Sequence, residues 1–241
     1  MNNNLKISLK NIALYIVLTI IAFLMVIPFL WAVSTSFKER WQVFIFPPQW
    51  IPTPITTEAY RKAFLSLPLG KAYLNSIKIT GSVVIGSLFT ASLAAFAFAK
   101  IKFKGREAIF LFLLSTMMIP GQVTLIPMYI VFKQINWIDT HLPLIIPPIL
   151  VNVFGVFFLR QFFMTIPDDL IDAARIDGCS PLRIYFNIIL PEARPALATL
   201  GIFIFMSSWN DFLTPLIYLN TMEKFTVPLI ISSAQGLYYN D

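Results

Sequence analysis

The feature that most constrains this chain is a series of long stretches without a charged residue. Four are long enough, or nearly so, to cross a bilayer, and a fifth is apolar apart from one asparagine and one aspartate; they are residues 11–37, 79–99, 108–132, 142–159 and 195–219. About 20 apolar residues span the hydrocarbon core of a membrane. Because backbone polar groups find no water there, each spanning segment should be a helix. The pattern predicts an all-α, polytopic bundle of transmembrane helices with five visible spans.

The composition supports the same class. Hydrophobic residues make up 57% of the 241 residues and charged residues only 12%, whereas a soluble domain carries about a quarter charged residues. The net charge of +6 is spread along the chain without a large basic cluster, so membrane lipid is an expected partner and nucleic acid is not. Without a linker or an internal repeat, residues 1–241 are expected to form a single transmembrane domain.

Prolines inside or near the ends of these stretches predict kinks or broken helix ends. They are Pro28, Pro120, Pro147 and Pro148. A membrane bundle tolerates such breaks where neighbouring groups pair the freed backbone. The first stretch is too long for the apolar part of a signal peptide, and no convincing cleavage site follows it. We therefore expect it to be a retained span.

Lysines and arginines in the connecting segments predict the orientation. The compact run KIKFKGR at residues 100–106 favours a cytoplasmic position for that connection, and with it a cytoplasmic N-terminus. Residues 38–71 then form an external loop, in which Trp41, Trp50 and Tyr60 suit the membrane interface. The same orientation places a polar segment, residues 167–191, in the cytoplasm.

Cys179 and His141 are the single cysteine and the single histidine of the sequence. An intramolecular disulfide and a Cys/His metal cluster are therefore excluded. A catalytic triad would have to use His141, which lies in a short polar gap and is better explained as a solvated or interfacial loop residue. We expect no catalytic residue, no metal and no cofactor.

The polar segment, DDLIDAARIDGCSPLRIYFNIILP from residue 168 to 191, predicts two short helices joined by a turn. Pro167 suits the first position of a helix, and Gly178 can end that helix in a left-handed conformation. Ser180 is a favourable N-cap for the second helix, with Pro181 at its first position. A plain connecting loop explains the polarity of the segment. The paired alanines Ala173 and Ala174 further suggest a surface that a partner approaches closely.

The spacing of this segment resembles the EAA signature of ABC importer permeases. That signature reads EAA, three residues, Gly, nine residues, Ile, one residue, Leu-Pro. Every spacing is matched here, with an aspartate in place of the usual glutamate at the first position; the matching residues are Asp172, Ala173, Ala174, Gly178, Ile188, Leu190 and Pro191. Because Asp172 has a shorter reach than glutamate, the contact that its carboxylate makes is open to change.

Further stretches resemble the carbohydrate-uptake branch of this family, especially its maltose-type second permease subunit. They are NSIKIT (75–80), FAKIKFKGR (98–106), MIPGQVTLIPMY (118–129) and WNDFLTPLIY (209–218). The resemblance implies a type I ABC importer permease fold in the plasma or inner membrane of a bacterium or archaeon. It also implies six spans, with the last one following a segment like residues 225–241. We therefore expect that the family's last span is missing from this sequence, either by C-terminal truncation or because the protein has none.

The resemblance implies a function and a set of partners. The chain would be a non-catalytic permease subunit that translocates a sugar or sugar-like solute by alternating access. ATP-binding ABC subunits would hydrolyse ATP, since the sequence lacks a G-x-x-x-x-G-K-[ST] phosphate loop. A second homologous permease and an external solute-binding protein would complete the transporter. The residues implied in coupling to the ATPase are Asp172, Ala173, Ala174, Asp177, Gly178, Ile188, Leu190 and Pro191.

Polar residues within the spans mark a candidate translocation path. Asn210 and Asp211 interrupt the fifth stretch, and Asn152 lies in the fourth. Polar groups at membrane depth usually face the bundle interior or a wet cavity. A structural interpretation is equally open for the first two, because they precede Pro215 and can cap a helix break there.

Three other classes of protein remain as alternatives. A secondary transporter driven by an ion gradient predicts charged pairs within several spans, whereas these spans hold no acidic residue besides Asp211. A membrane-embedded enzyme needs a cluster of catalytic groups, which one histidine and scattered acids do not provide. A structural anchor leaves the polar segment unexplained.

Overall fold

The structure, a computed structural model, describes residues 2–238, and side chains for residues 10–234. No strand occurs within the described part, as expected for the predicted all-α fold. The α-helices are α1 (Asn2–Ser36), α2 (Arg40–Val43), α3 (Glu58–Ser66), α4 (Leu69–Lys100), α5 (Arg106–Ser115), α6 (Gly121–Gln134), α7 (Leu142–Leu150), α8 (Val153–Thr165), α9 (Asp168–Ile176), α10 (Pro181–Ile184), α11 (Leu190–Glu192), α12 (Arg194–Trp209), α13 (Leu213–Tyr218) and α14 (Val227–Tyr238). A π-helical turn, Tyr185–Ile189, joins α10 to α11, and short 3-10 turns follow α5 and precede α14.

The chain divides into two compact units between Leu67 and Pro68. The first unit contains α1, α2 and α3. After α1, its irregular segment is held by its own hydrogen bonds, since the buried Gln42 side chain donates to the carbonyl of Thr53 and the Thr56 amide donates to the carbonyl of Phe37. The predicted external loop is thus an ordered segment rather than an open tether.

The second unit is built around α4, which packs against α7, α8 and α12. The buried positions of α4 are occupied largely by small side chains, among them Ser87, Ala91, Ser92 and Ala95. Small residues let helix backbones approach closely, and the resulting van der Waals packing is one source of helix association inside a membrane. The helix at the centre of the unit therefore owes its contacts to closely fitting backbones.

Within the described residues, three helical stretches are long and apolar enough to cross a membrane: Lys10–Ser36 in α1, Leu69–Lys100 (α4) and Leu142–Thr165, which comprises α7 and α8. Two further candidates are bent pairs, Arg106–Met118 with Gly121–Gln134 and Pro181–Glu192 with Arg194–Trp209. Counting each bent pair as one span gives at most five, although nearly all of Pro181–Glu192 also belongs to the polar segment that is predicted to lie in the cytoplasm. The predicted missing last span would follow residues 225–241, the last three of which lie outside the described part.

The prolines act differently from one another. Pro28 lies inside α1, which continues past it without a break. Pro120 separates two helices that meet at 95°, and the third predicted span is therefore a broken pair rather than one kinked helix. The fifth predicted span is also interrupted, because α12 ends at Trp209 and α13 begins only at Leu213.

Candidate functional site

The polar segment forms the predicted helix, glycine turn and second helix. Pro167 lies one position before the first helical residue of α9, rather than at that first position as predicted. Gly178 has a φ of +77°, the left-handed conformation expected of a glycine that follows a helix. Ser180 caps α10, because its hydroxyl accepts a hydrogen bond from the Arg183 amide at 3.4 Å, and Pro181 opens that helix. The glycine turn and the second helix start are confirmed.

Helix α9 has a buried face and an exposed face. Ile171 and Ala174 are 2% and 8% exposed and belong to the buried cluster of the second unit. Leu170 and Ile176 are 48% and 86% exposed, and Ala173 lies on the same exposed side. The two alanines of the signature therefore have different environments: a partner can touch Ala173 directly, whereas Ala174 packs against its own subunit.

Asp172, the position that departs from the family signature, pairs within its own helix. Its carboxylate lies 3.0 Å from Nη1 of Arg175, one turn further along α9. Both side chains are about half exposed or more, so the pair adds little stability in itself. Nη2 of Arg175 donates a long hydrogen bond of 3.4 Å to the carbonyl of Lys100 at the end of α4. Asp172 thereby helps to orient the arginine that reaches another helix.

The remaining residues predicted for coupling lie just before the glycine turn and beyond it. Asp177 is the exposed C-cap of α9, Ile188 and Leu190 are partly buried against the core, and Pro191 is exposed. Next to them the fully buried Tyr185 shares a hydrogen bond of 2.6 Å with the hydroxyl of Ser92 in α4. The second half of the segment therefore anchors the exposed α9 to the membrane bundle.

Two buried cations near this segment were not predicted as site residues. Lys100 is 8% exposed and contacts the start of α9. Arg160 in α8 is 7% exposed and donates from Nη2 to both carboxylate oxygens of Glu107, at 2.7 and 2.8 Å. Its Nε donates to the carbonyl of Phe98, and its guanidinium lies 4.0 Å from the centre of the Phe110 ring. Both look like loop charges in the sequence, since a charge count does not distinguish a buried cation from a solvated one.

A cavity of about 700 Å³ lies along α4, α8 and α12. It is lined by polar groups and aromatic rings together, and the lining residues are Val83, Ser87, Leu144, Pro148, Asn152, Phe154, Phe203, Ile204, Ser207, Ser208, Asp211 and Thr214. Two of the three residues predicted for a translocation path, Asn152 and Asp211, are therefore brought together at one cavity. Asn210 is not among the lining residues, and its side-chain amide donates to the carbonyl of Met206 at 2.8 Å.

Asn152 and Asp211 also cap helices. Oδ1 of Asn152 accepts from the amide of Gly155 at 2.8 Å at the start of α8. Oδ1 of Asp211 accepts from the amide of Thr214 at 3.2 Å at the start of α13. Both helix starts lie at breaks in the membrane helices, where unpaired amides need an acceptor. Capping and cavity lining are thus combined in the same side chains.

At the end of α4 opposite Lys100, hydrogen bonds centred on Asp139 join the loop before α7 to the loop after α13. We call this group of contacts the polar clasp. Asp139 accepts hydrogen bonds from the amides of Asn220 and Thr221 and from Nζ of Lys224, at 2.8 to 2.9 Å. Asn75 in α4 donates to the carbonyl of Glu223 in the same loop. Partial burial opposes ionisation of Asp139, but these hydrogen bonds outweigh it and hold its pKa well below the usual range. The clasp therefore keeps a carboxylate ionised and its loops together.

The helical bundle, its broken spans and the exposed amphipathic helix between them define a transport permease. Residues 86–236 match the family described as the inner membrane component of binding-protein-dependent transport systems, and the chain belongs to that family. This membership confirms the predicted permease function and the membrane location. Members of this family work with a solute-binding protein, a second permease and an ATPase subunit, so the predicted partners follow from it as well.

Two curated relatives match over most of their length. The arabinooligosaccharides transport system permease protein AraQ of Halalkalibacterium halodurans is 33% identical over 92% of this chain and 80% of its own. The lactose transport system permease protein LacG of Rhizobium radiobacter is 31% identical over 99% of this chain and 86% of its own. The fold is similar to that of a chain in the crystal structure of a bacterial ABC transporter involved in alginate import, with a TM-score of 0.82 and 24% identity over 97% of this chain and 82% of that one. This similarity confirms the predicted type I ABC importer permease fold.

Proposed function

We propose that this permease carries a carbohydrate across the membrane by alternating access, driven by ATP that a partner subunit hydrolyses. The relatives named for arabinooligosaccharide and lactose transport support a carbohydrate substrate. In the proposed orientation, residues 38–71 face the solute-binding protein and α9 faces the cytoplasmic ATPase. The permease itself then contributes the path and the mechanical link, and ATP hydrolysis takes place on the ATPase.

The observation that carries the coupling role is the exposed apolar ridge on α9. Leu170, Ala173 and Ile176 recur at three-residue spacing, so they lie along one side of a helix whose opposite side is buried. Ile176, 86% exposed at the tip of a polar segment, gains nothing from contact with water. An amphipathic helix that presents such a ridge fits a groove on a partner protein. The ATPase is the partner that this family supplies.

The other signature residues have supporting roles in this proposal. Gly178 forms the turn that lets α9 project, and Ile188 and Leu190 pack the segment against the bundle. Ala174 sets the distance between α9 and its own core, while Ala173 and Asp177 lie at the exposed surface. We propose that only part of the signature touches the ATPase, and that the rest holds the contacting part in place.

The cavity beside α4 is our proposed segment of the translocation path. Its hydroxyl, amide and carboxylate groups offer partners to sugar hydroxyls, and the rings of Phe154 and Phe203 offer apolar faces. Binding sites for small molecules commonly combine apolar walls with a few well-placed polar groups. Asn152 and Asp211 would then act at the path, with Asn210 serving the helix end next to it.

Transport by vesicles that contain the assembled transporter tests the proposal. Uptake of a labelled oligosaccharide should require ATP on the side of the vesicle membrane where the ATPase is bound. It should also require the solute-loaded binding protein on the opposite side. A series of oligosaccharides, including arabinose- and galactose-containing ones, identifies the substrate. Uptake that follows an imposed proton gradient without ATP would instead establish the secondary transporter, and failure of every carbohydrate would contradict the substrate class.

Ile176→Asp is expected to lower ATP-driven uptake in these vesicles by about tenfold or more, because an anchor residue at an interface contributes about 2 kcal/mol or more to binding. The amount of ATPase that co-purifies should fall in parallel, while insertion of the permease is unchanged. Leu182→Asp is the matched control, since Leu182 is 61% exposed on the neighbouring α10 and lies off the ridge. Full co-purification of the ATPase with Ile176→Asp would exclude the ridge as the contact.

Asp211→Asn separates the two roles of this side chain. Asparagine keeps an oxygen that can accept from the Thr214 amide, so the helix cap is preserved while the charge is removed. If the charge acts at the path, uptake should fall by about tenfold or more, in line with about 1.5 kcal/mol or more for a lost charged hydrogen bond. Asp211→Ala, which also removes the cap, is the comparison. Unchanged uptake with Asp211→Asn and reduced uptake with Asp211→Ala would leave capping as the whole role.

A further inference from the structure

The last residue of α4 bonds to both sides of the hinge that leads into α9. Nζ of Lys100 donates to the carbonyl of Ile166, at the end of α8, at 2.6 Å. It also lies 2.6 Å from Oδ1 of Asp168, the first residue of α9. Pro167, which has no N–H of its own to offer, stands between these two acceptors. One ammonium group therefore joins three helices.

The far end of α9 contacts the same residue through the backbone. Nη2 of Arg175 donates to the carbonyl of Lys100 at 3.4 Å, while Nη1 of the same arginine is held by Asp172. The first helical residue of α9 and a residue near its end thus both meet Lys100. Two contacts at separate points on a short helix restrict its rotation as well as its position, so α9 is held to the end of α4 as a rigid piece.

The burial of Lys100 distinguishes this contact from an ordinary surface ion pair. The lysine side chain is 4% exposed, whereas the Asp168 side chain is 78% exposed. Burying an ammonium group costs free energy unless hydrogen bonds replace its lost water. The bond from Lys100 holds the pKa of the Asp168 carboxyl below its usual range. A lysine that only offset the partial negative charge at the C-terminal end of α4 could point into water. It would need neither the carbonyl of Ile166 nor the carboxylate of Asp168.

Helix α4 connects Lys100 to the proposed translocation path. Helix α4 runs without a break from Leu69 to Lys100, and its residues Val83 and Ser87 line the cavity. A displacement of α9 that pulls on Lys100 therefore moves the same helix that forms a wall of the cavity. Coupling between distant sites is carried by packed side chains, hydrogen-bond networks and rigid helices, and this connection contains all three.

We propose that Lys100 is the positioning residue through which movement of α9 passes to α4. This inference rests on the proposed role of α9 in contacting the ATPase. Lys100 touches neither the ATPase nor the sugar; it acts through Asp168 and the end of α8. Loss of its ammonium group should therefore leave the ATPase bound and active, while less of the hydrolysis is converted into transport.

Lys100→Met tests this in the assembled transporter. The number of sugar molecules taken up per ATP hydrolysed should fall by about fivefold or more, the size of a typical coupling between sites. The ATPase should co-purify at the wild-type level and hydrolyse ATP at least as fast. Lys104→Met, at an exposed lysine in the following loop, is the matched control and should keep the wild-type ratio. Lys100→Arg, which retains donors, should restore most of it.

Asp168→Asn provides a second route that does not depend on tolerance of a buried substitution. Because this side chain is largely in water, the variant should fold normally and show a smaller fall in the same ratio. The double variant Lys100→Met/Asp168→Asn should be no worse than Lys100→Met alone, since both changes break one link. A wild-type ratio in Lys100→Met or in Asp168→Asn, additive effects, or loss of the ATPase from Lys100→Met would each overturn the proposal. Absence of ATP-driven uptake in the wild-type transporter would instead overturn the proposed function.

Discussion

Ala174→Arg is expected to lower the melting temperature of the purified permease by about 10 °C, whereas Ala173→Arg should leave it within about 2 °C of the wild type. The two alanines are adjacent in the signature and lie about 100° apart around α9, so that Ala173 is exposed while Ala174 is buried. Ala174 is 8% exposed and packs in the same buried cluster as Ile171 and Ile184. An arginine there overfills a packed site and brings a charge against apolar neighbours.

The same pair separates packing from partner contact. Ala173→Arg, on the exposed ridge, should reduce co-purification of the ATPase while the permease keeps its stability. Ala174→Arg should reduce both, because displacement of α9 carries the ridge with it. Melting curves in detergent and the yield of co-purified ATPase are the two measurements. Equal melting temperatures for the two variants would show that Ala174 is not held in the core.

The polar segment was predictable because its signals are local. Gly178, Ser180 and Pro181 each act on the backbone within a few residues, so sequence alone predicts the turn and the helix start. The orientation of α9 toward the bundle does not follow from such local signals. Whether Ala173 or Ala174 faces inward depends on the phase of α9 relative to α4 and α8, and the two alanines are chemically identical. The ridge at Leu170, Ala173 and Ile176 is visible in the sequence as a three-residue spacing of apolar side chains.

The buried cations were beyond sequence reasoning for a related reason. Lys100 and Arg160 follow apolar stretches directly, as do many lysines and arginines at membrane interfaces. Their acceptors are the carbonyls of Ile166 and Phe98 and the carboxylate of Glu107, which lie on other helices. Tertiary packing alone brings these groups together. In the same way, Asn152 and Asp211 come to share a cavity only once α8 and α12 lie against α4.

The broken spans show that a proline within a predicted span does not by itself determine where a helix ends. Pro28 is accommodated within α1, whereas Pro120 ends a helix. Next to the break after α7, the free carbonyls at the end of that helix need donors. Hydroxyls of α4 supply them, since Ser87 donates to the carbonyl of Pro148 at 2.8 Å and Thr90 donates to that of Ile149. A break is therefore stable where a neighbouring helix comes close enough to pair the backbone that it exposes.

That close approach leads to the second large effect, at Gly86. A Cβ atom added there would lie 2.6 Å from both Cγ1 and Cδ1 of Ile149, well inside any normal contact. Gly86→Val is therefore expected to destabilise the permease by about 3 kcal/mol, as for overpacking of a tight core site, and to lower its melting temperature by about 10 °C. It should also weaken the two hydroxyl contacts to α7, because α4 has to move away to accommodate the valine.

Gly81→Val is the matched control on the same helix, since no atom lies within 4 Å of a Cβ added at Gly81. It should change the melting temperature by no more than about 2 °C. Ile149→Ala removes the obstructing side chain, so the double variant Gly86→Val/Ile149→Ala should be more stable than the two single effects added together. Thermal melting of the four purified variants measures this coupling. If the double variant loses as much stability as the two single variants added together, the destabilisation by Gly86→Val does not come from the Ile149 contact. The packing of α4 against α7 is then looser than the structure requires.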